Sequence, residues 1–216
     1  MYKFFTLVFG LLFITTTVTA QKRLTEGTIS YDIVINTGTD KLTPPDFFDG
    51  ATRTVYIKGS KSRVEMVNTL GKQSTIIDAA KNSFIVLKEY GEQRFMIQMT
   101  PANWQDANKR YENVTFTYSD DTKTILGYKC NKAIGKLEDG TTFTVWYTTD
   151  LVPENKEFQY GNRSLPGLAM EYESSLGNLK VTYTVSKISF NPVPASIFDL
   201  PKSGYRIMTY EESKGK

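Results

Sequence analysis

The ten residues from Val181 to Phe190, VTYTVSKISF, change face halfway along. Val181, Tyr183 and Val185 occupy odd positions, whereas Ile188 and Phe190 occupy even ones. Alternation of apolar and polar residues marks a half-buried antiparallel strand. A switch of parity inside such a strand requires one extra residue, here near Ser186 or Lys187. A β-bulge at that point bends the strand and helps the sheet to curl, a curvature that belongs to barrels and half-barrels.

The same period of two runs through the rest of the chain. Ile29, Tyr31, Ile33 and Ile35 alternate with Thr28, Ser30 and Asp32, and Phe143, Val145 and Tyr147 alternate with Thr142, Thr144 and Trp146. Similar stretches lie near 52–58, 61–67, 73–78, 83–89, 93–99, 113–118, 127–137, 168–174, 179–190 and 204–210, each bounded by turn residues. Asp139-Gly140 fits a primed hairpin turn with two positive φ values. The segments Lys58–Lys61, Ala80–Ser83 and Tyr90–Glu92 punctuate earlier strands in the same way, so a meander is expected. Helix is confined to Pro101–Tyr111, where Thr100 can cap, Pro101 starts the first turn and Trp104, Ala107 and Tyr111 form an apolar stripe. A second short helix is expected after Pro194, with Ile197, Phe198 and Leu200 facing inward.

Residues 1–20 read as a secretory signal peptide: Lys3 precedes an apolar run from Phe4 to Ile14, and the small residues end at Ala20. The run is short against the roughly 20 apolar residues of a membrane span. Removal of residues 1–20 leaves 21–216, expected to form one domain with a substantial core. Only Lys3 among the 26 basic residues would be lost, so the mature balance is 25 against 23 acidic, or +2. Such a mild excess gives no reason to expect nucleic acid as a partner. Cys130 is the only cysteine, so no internal disulfide can form, and its strand-like setting predicts a buried thiol. A periplasmic or secreted location follows from the leader.

The chain has no histidine, which removes Ser-His-Asp and Cys-His machinery and His-containing zinc sites. One cysteine removes thiolate zinc and iron–sulfur clusters, and neither standard glycine-rich phosphate loop is present. Glu171 and Glu173, two apart on a strand, share a face and could form an acid and nucleophile pair, although a solvated strand face is the more ordinary use of that pattern. Asp120-Asp121 has turn composition. The abundant aromatics, 13 Tyr, 13 Phe and 2 Trp, suit either a packed sheet or a cavity inside a curved one. The long polar loop from Thr37 to Ala51 carries Phe47-Phe48, read as core residues or as a hydrophobic lip over a cavity.

The order of the pieces STIIDAAKNSFIVLKEYGEQRFMIQMTPANW, KTILGYKCNKAIGKLEDGTTFTVWYTTDL, SLPGLAMEYE and IFDLPKSGYRIM resembles exported bacterial envelope proteins of the GLPGLI type, which look like relatives of the LolA/LolB group. Ser164 and Ala169 depart from the signature at its first and last positions. The resemblance implies an all-β or β-rich α+β fold, a curved antiparallel meander forming a half-barrel with one or two short helices on its concave side. It also implies a non-enzymatic role without cofactor or metal, with a lipid, acyl chain or lipoprotein as the possible partner in an apolar groove. Phe47, Phe48, Trp104, Trp146 and Leu168 are the expected groove residues. The alternatives are a carbohydrate-active protein using Glu171 and Glu173 with Trp146 as a sugar platform, or an interaction protein with no ligand. The Pro166-Gly167 corner is expected to be a type II turn, with Gly167 at positive φ and Leu165 and Leu168 anchoring it on the core.

Overall fold

The computed structural model describes residues 21–36, 50–176 and 179–215. The leader and the Phe47-Phe48 pair lie outside them. Among the described residues the strands are β1 (Lys22–Leu24), β2 (Glu26–Asn36), β3 (Thr52–Lys58), β4 (Lys61–Asn68), β5 (Gly71–Asp78), β6 (Ser83–Tyr90), β7 (Gln93–Met99), β8 (Thr115–Ile125), β9 (Tyr128–Lys136), β10 (Thr142–Thr148), β11 (Leu151–Pro153), β12 (Leu168–Leu176), β13 (Leu179–Ser189) and β14 (Arg206–Met208). The helices are α1 (Pro101–Ala107) and α2 (Tyr210–Ser213), with 3-10 turns at Lys109–Tyr111, Glu157–Asn162 and Ala195–Phe198.

Twelve strands form one sheet in the order β14-β7-β6-β5-β4-β3-β2-β13-β12-β10-β9-β8, while β1 and β11 pair separately in parallel. The sheet is curved and open: β14 and β8 are its two edges and do not meet. The bulge lies where the parity switch demands it. Val185 pairs with Tyr31 and Lys187 with Ser30, so Ser186 is the residue without a partner in the ladder. A second register shift, at Trp146/Tyr147 against β12, adds to the bend.

Alternation is strict only where one face is wet. On β5 to β7 both faces are covered. Ile77, Phe84, Ile97 and Met99 pack under Trp104 on the concave side, while Ile76, Ile85, Leu87 and Met96 pack against Tyr205 on the other. That double burial explains the continuous apolar run FIVL in β6. The main core contains Leu24, Ile29, Val55, Leu151, Leu168 and Met170. Cys130 is in it, fully buried and free.

Thr100 caps α1: its Oγ1 accepts from the Asn103 amide at 3.2 Å, and the Asn103 side chain accepts from the Thr100 amide at 3.1 Å. The helix ends at Ala107 and a 3-10 turn completes the segment to Tyr111. Thr100→Ala should lower stability by about 1 kcal/mol, measured as a shift in denaturation midpoint at constant m-value. An unchanged midpoint would contradict the cap.

Three local expectations are corrected. Gly140 alone has positive φ at the Asp139-Gly140 hairpin. Gly140 N–H donates to the Leu137 carbonyl and Leu137 N–H to the Thr141 carbonyl, a type I turn closed by a bulge. Gly167 does not adopt positive φ either. It is glycine because a Cβ there would overlap the Thr148 carbonyl oxygen and sit 2.8 Å from its carbon. Leu165 and Leu168 do anchor that corner, both fully buried. After Pro194 the chain makes only a 3-10 turn; Phe198 is buried, but Leu200 is 41% exposed because the chain has already left the turn.

Candidate functional site

The corner at 165–168 fixes what sits above the sheet. Gln159, buried, donates from Nε2 to the Gly167 carbonyl at 3.2 Å and accepts on Oε1 from the Ala169 amide at 3.3 Å. Lys156 Nζ donates to the Leu165 carbonyl at 2.7 Å. Asn155 Oδ1 accepts from the Glu157 amide at 2.9 Å while its Nδ2 reaches the Ser60 carbonyl at 2.8 Å. These bonds clamp the Glu157–Asn162 turn across the concave face, opposite β3, β4 and β12. Glycine at 161 is needed for close approach, since a Cβ would lie 2.9 Å from the Tyr111 ring.

Between this turn, α1 and the sheet lies a cleft of about 250 Å³. Its floor carries Arg53, Val64, Thr75, Tyr172 and Tyr183, and its walls carry Trp104, Tyr111, Phe143 and the Glu157–Asn162 turn. Tyr172 and Tyr183 stack at 5.0 Å, and Tyr31 meets Tyr172 edge-on at 6.0 Å. Trp104 stacks on Phe84 at 4.9 Å and donates from Nε1 to Glu157 at 3.2 Å. A second hollow, lined by Asn82, Gln105 and Arg163, shares Trp104, Glu157 and Tyr160 with the first. The indole and the Tyr160 ring therefore stand between two compartments of one concave surface.

Arg53 is the central polar group. Its guanidinium lies 5.6 Å from the rings of both Tyr31 and Tyr183, and Nη2 donates to the Phe158 carbonyl at 3.3 Å. Its Nε–H is buried without a partner, as is Oδ1 of Asn162. Unmet buried polar atoms are uncommon in native proteins and cost about 1–3 kcal/mol each. Burial opposes the Arg53 charge, and only at high pH, where Tyr172, Tyr31 and Tyr183 ionise, do the tyrosines outweigh it and raise the guanidinium above its usual range. Burial in turn pushes the Tyr172 hydroxyl from 10.0 up to about 12, and raises Tyr31 and Tyr183 as well.

These shifts give a pH dependence. Burial pushes the Cys130 thiol from 9.0 up to about 11, and both it and Tyr172 are neutral when protonated. The unfolded chain releases these protons first as pH rises, so the stability they contribute is whole below about pH 9 and is lost toward pH 12. Melting temperature should fall across that window, and less steeply in Cys130→Ala and Tyr172→Phe. Equal slopes in all three proteins would contradict it.

The residues expected to line a groove are distributed differently. Trp104 lines the cleft. Leu168 is sealed in the core. Trp146 pairs across the ladder with Glu171 on the other face of the sheet, with Lys123 Nζ 4.6 Å and Lys132 Nζ 5.8 Å from its ring centre. Glu171 is committed to Lys123 at 2.6 Å and to the Thr184 hydroxyl at 3.1 Å. Glu173 borders the cleft, its carboxylate accepting from the Thr144 amide at 2.9 Å. The concave hollow is thus not the apolar groove that the sequence suggested: an arginine, two glutamates and three amide side chains line it beside the aromatics. Arg53 had a legible signal, since it shares parity with the buried Val55 and Ile57 and so stands on the apolar face. Gln159 and Asn162 had none, because an irregular segment has no period to read.

Among the described residues no cluster of His, Cys, Asp or Glu could hold a metal ion, and no helix is long and apolar enough to cross a membrane, which says nothing of strands.

The family described as N-glycanase peptide, N-terminal domain, matches residues 50–210. Among solved structures, PNGF-II in a P21 crystal form is 14% identical with a TM-score of 0.50, over 89% of this chain and 34% of that one. PNGF-II in a C2 form gives 13% and 0.48, over 88% and 33%. An uncharacterized conserved protein from Thermus thermophilus gives 8% and 0.49, over 84% and 90%. The chain spans about a third of the length of PNGF-II. No curated protein matches it. These findings overturn the GLPGLI and LolA-like assignment, and with it the non-enzymatic, lipid-binding role that the assignment implied. The segment SLPGLAMEYE, distinctive behind that assignment, is in this chain a structural corner followed by β12.

Proposed function

We propose, from a chain that belongs to the family of N-glycanase N-terminal domains, that this protein is carbohydrate-active and engages N-linked glycans in the concave cleft. One observation carries the reading: aromatic faces and unmet polar groups converge in the same hollow. Sugars present apolar C–H faces and a rim of hydroxyls. Trp104, Tyr172 and Tyr183 offer rings to the former, while Arg53, Asn108 and Asn162 offer hydrogen bonds to the latter. The compartment beyond Trp104 leaves room for a glycan longer than one ring. Glu157, beside Trp104, is the carboxylate placed to touch a bound sugar and is the candidate acid or base.

The reading includes export: the protein works outside the cytoplasm as residues 21–216, after loss of 1–20. Intact mass of the secreted protein tests that portion, and a retained leader would refute it.

Calorimetric titration with N-glycopeptides and released N-glycans tests the binding. Saturable binding is expected, weakened about ten-fold or more by Trp104→Ala, with circular dichroism showing an intact sheet. Absence of binding to every N-glycan, or an affinity indifferent to Trp104, would overturn the proposal. Loss of glycopeptide turnover in Glu157→Gln with binding retained would assign that carboxylate its chemical role.

A further inference from the structure

Resting on the carbohydrate reading and narrowing it, we infer that the Arg53 end of the cleft receives the carboxylate of an acidic sugar, of the uronic or sialic acid class. The chain contains an internal control. Arg63, also on the sheet and largely buried, is neutralised by Glu65 at 2.8 Å and bonded to the Ile197 carbonyl at 2.8 Å and the Ser74 hydroxyl at 3.2 Å. Nε of both arginines is buried without a partner, so the two differ in the counter-charge that the fold gives Arg63. Arg53 has no ion pair among the described residues: its partners are one carbonyl, of Phe158, and the Tyr172 hydroxyl. The tyrosines around it cannot supply a counter-charge near neutral pH, because burial keeps their hydroxyls protonated. A half-buried charge without a counter-ion is costly, and here it borders an open cleft.

The remaining charges give the ligand a direction. Glu157 already accepts from the Trp104 indole and Glu173 from the Thr144 amide. Each repels an acidic group, so the carboxylate of the ligand is driven to Arg53 and its neutral hydroxyls to the Glu157 side. A planar carboxylate matches the flat guanidinium fork better than a tetrahedral ester does. A neutral sugar would leave the charge uncompensated. The cleft, about 250 Å³, lies near the lower end of small-ligand sites and suits one terminal residue of a glycan.

The test compares matched pairs by calorimetry: a sialylated N-glycan and the same glycan after sialidase treatment, a galacturonate oligomer and its galactose counterpart, and a sulfated oligosaccharide. The carboxylated member should bind about ten-fold or more tightly, and added salt should shrink the difference. In Arg53→Gln the preference within each pair should vanish, whatever affinity both members lose together; Arg53→Lys should keep part of it. Equal affinity within each pair for the unmodified protein would overturn the inference and leave glycan binding standing. Binding of the sulfated probe but neither carboxylated one would overturn the choice of carboxylate. Failure to bind any glycan, neutral or acidic, would bring down both readings. The matched pairs need no variant, so a poorly folding Arg53→Gln does not rescue the inference.

Discussion

Gly167→Ala should destabilise the protein by about 3 kcal/mol or more, the upper range for overpacking against rigid surroundings. The added methyl would overlap a backbone carbonyl oxygen, that of Thr148, and lie 3.1 Å from the Cα of Thr149. Backbone at that position cannot swing aside as a flexible side chain would. The Gly167 carbonyl also holds Gln159, so any shift of the corner loosens the Glu157–Asn162 turn and the cleft beneath it. For a chain of this length the loss corresponds to a fall in melting temperature of roughly 6–12 °C. Gly167→Asn should be no better, because the constraint is closeness and not a left-handed backbone. Gly140→Ala makes the contrast: it has φ +82 and no atom near its Cβ, so only the left-handed backbone penalty of about 1–2 kcal/mol applies. Equal tolerance of Asn at 167 and at 140 would contradict this account of the corner.

Leu168→Ala should cost about 2–5 kcal/mol, the range for emptying a buried leucine site. Leu168 is fully buried in the same cluster as Met170, Phe158 and Cys130. Packed neighbours on the sheet and the clamped turn cannot collapse far into the space, which favours the upper part of the range. The variant should lose stability with little change in glycan affinity of the folded protein, whereas Trp104→Ala, which also gives up the packing on Phe84, should weaken the glycan affinity of the folded protein. If Leu168→Ala abolished binding at unchanged stability, Leu168 would be a ligand-touching residue and the cleft would be wrongly placed.

Much of the fold was legible because most strands have one wet face. β3 begins and ends where alternation begins and ends, and the parity switch in β13 placed the bulge at Ser186 or Lys187, of which Ser186 is the residue without a ladder partner. Alternation has no hold on β6, whose two faces are both covered, or on the chain after β13, which wraps the outer face as turns. The Pro166-Gly167 corner was visible, but its reason was not: a carbonyl approaching from Thr148, distant in sequence, leaves no local trace. The site was legible in fragments. Trp104 stood out through its helix stripe; Arg53 was readable by parity; the polar turn above it depends on Gln159 and Asn155 reaching backbone groups that only the fold brings near. An apolar hollow was expected because aromatics were counted without the polar residues that a distant segment brings among them.

The two tryptophans allow a direct test of the central claim, that glycans occupy the concave cleft. Their indole N–H signals can be followed by two-dimensional NMR during titration with an N-glycan. Trp104, whose Nε1–H bonds to Glu157 at 3.2 Å, should shift on saturation, while Trp146, beside Lys123 and Lys132 on the opposite face, should stay in place. A shift confined to Trp146, or no shift at either indole at saturating glycan, would contradict it.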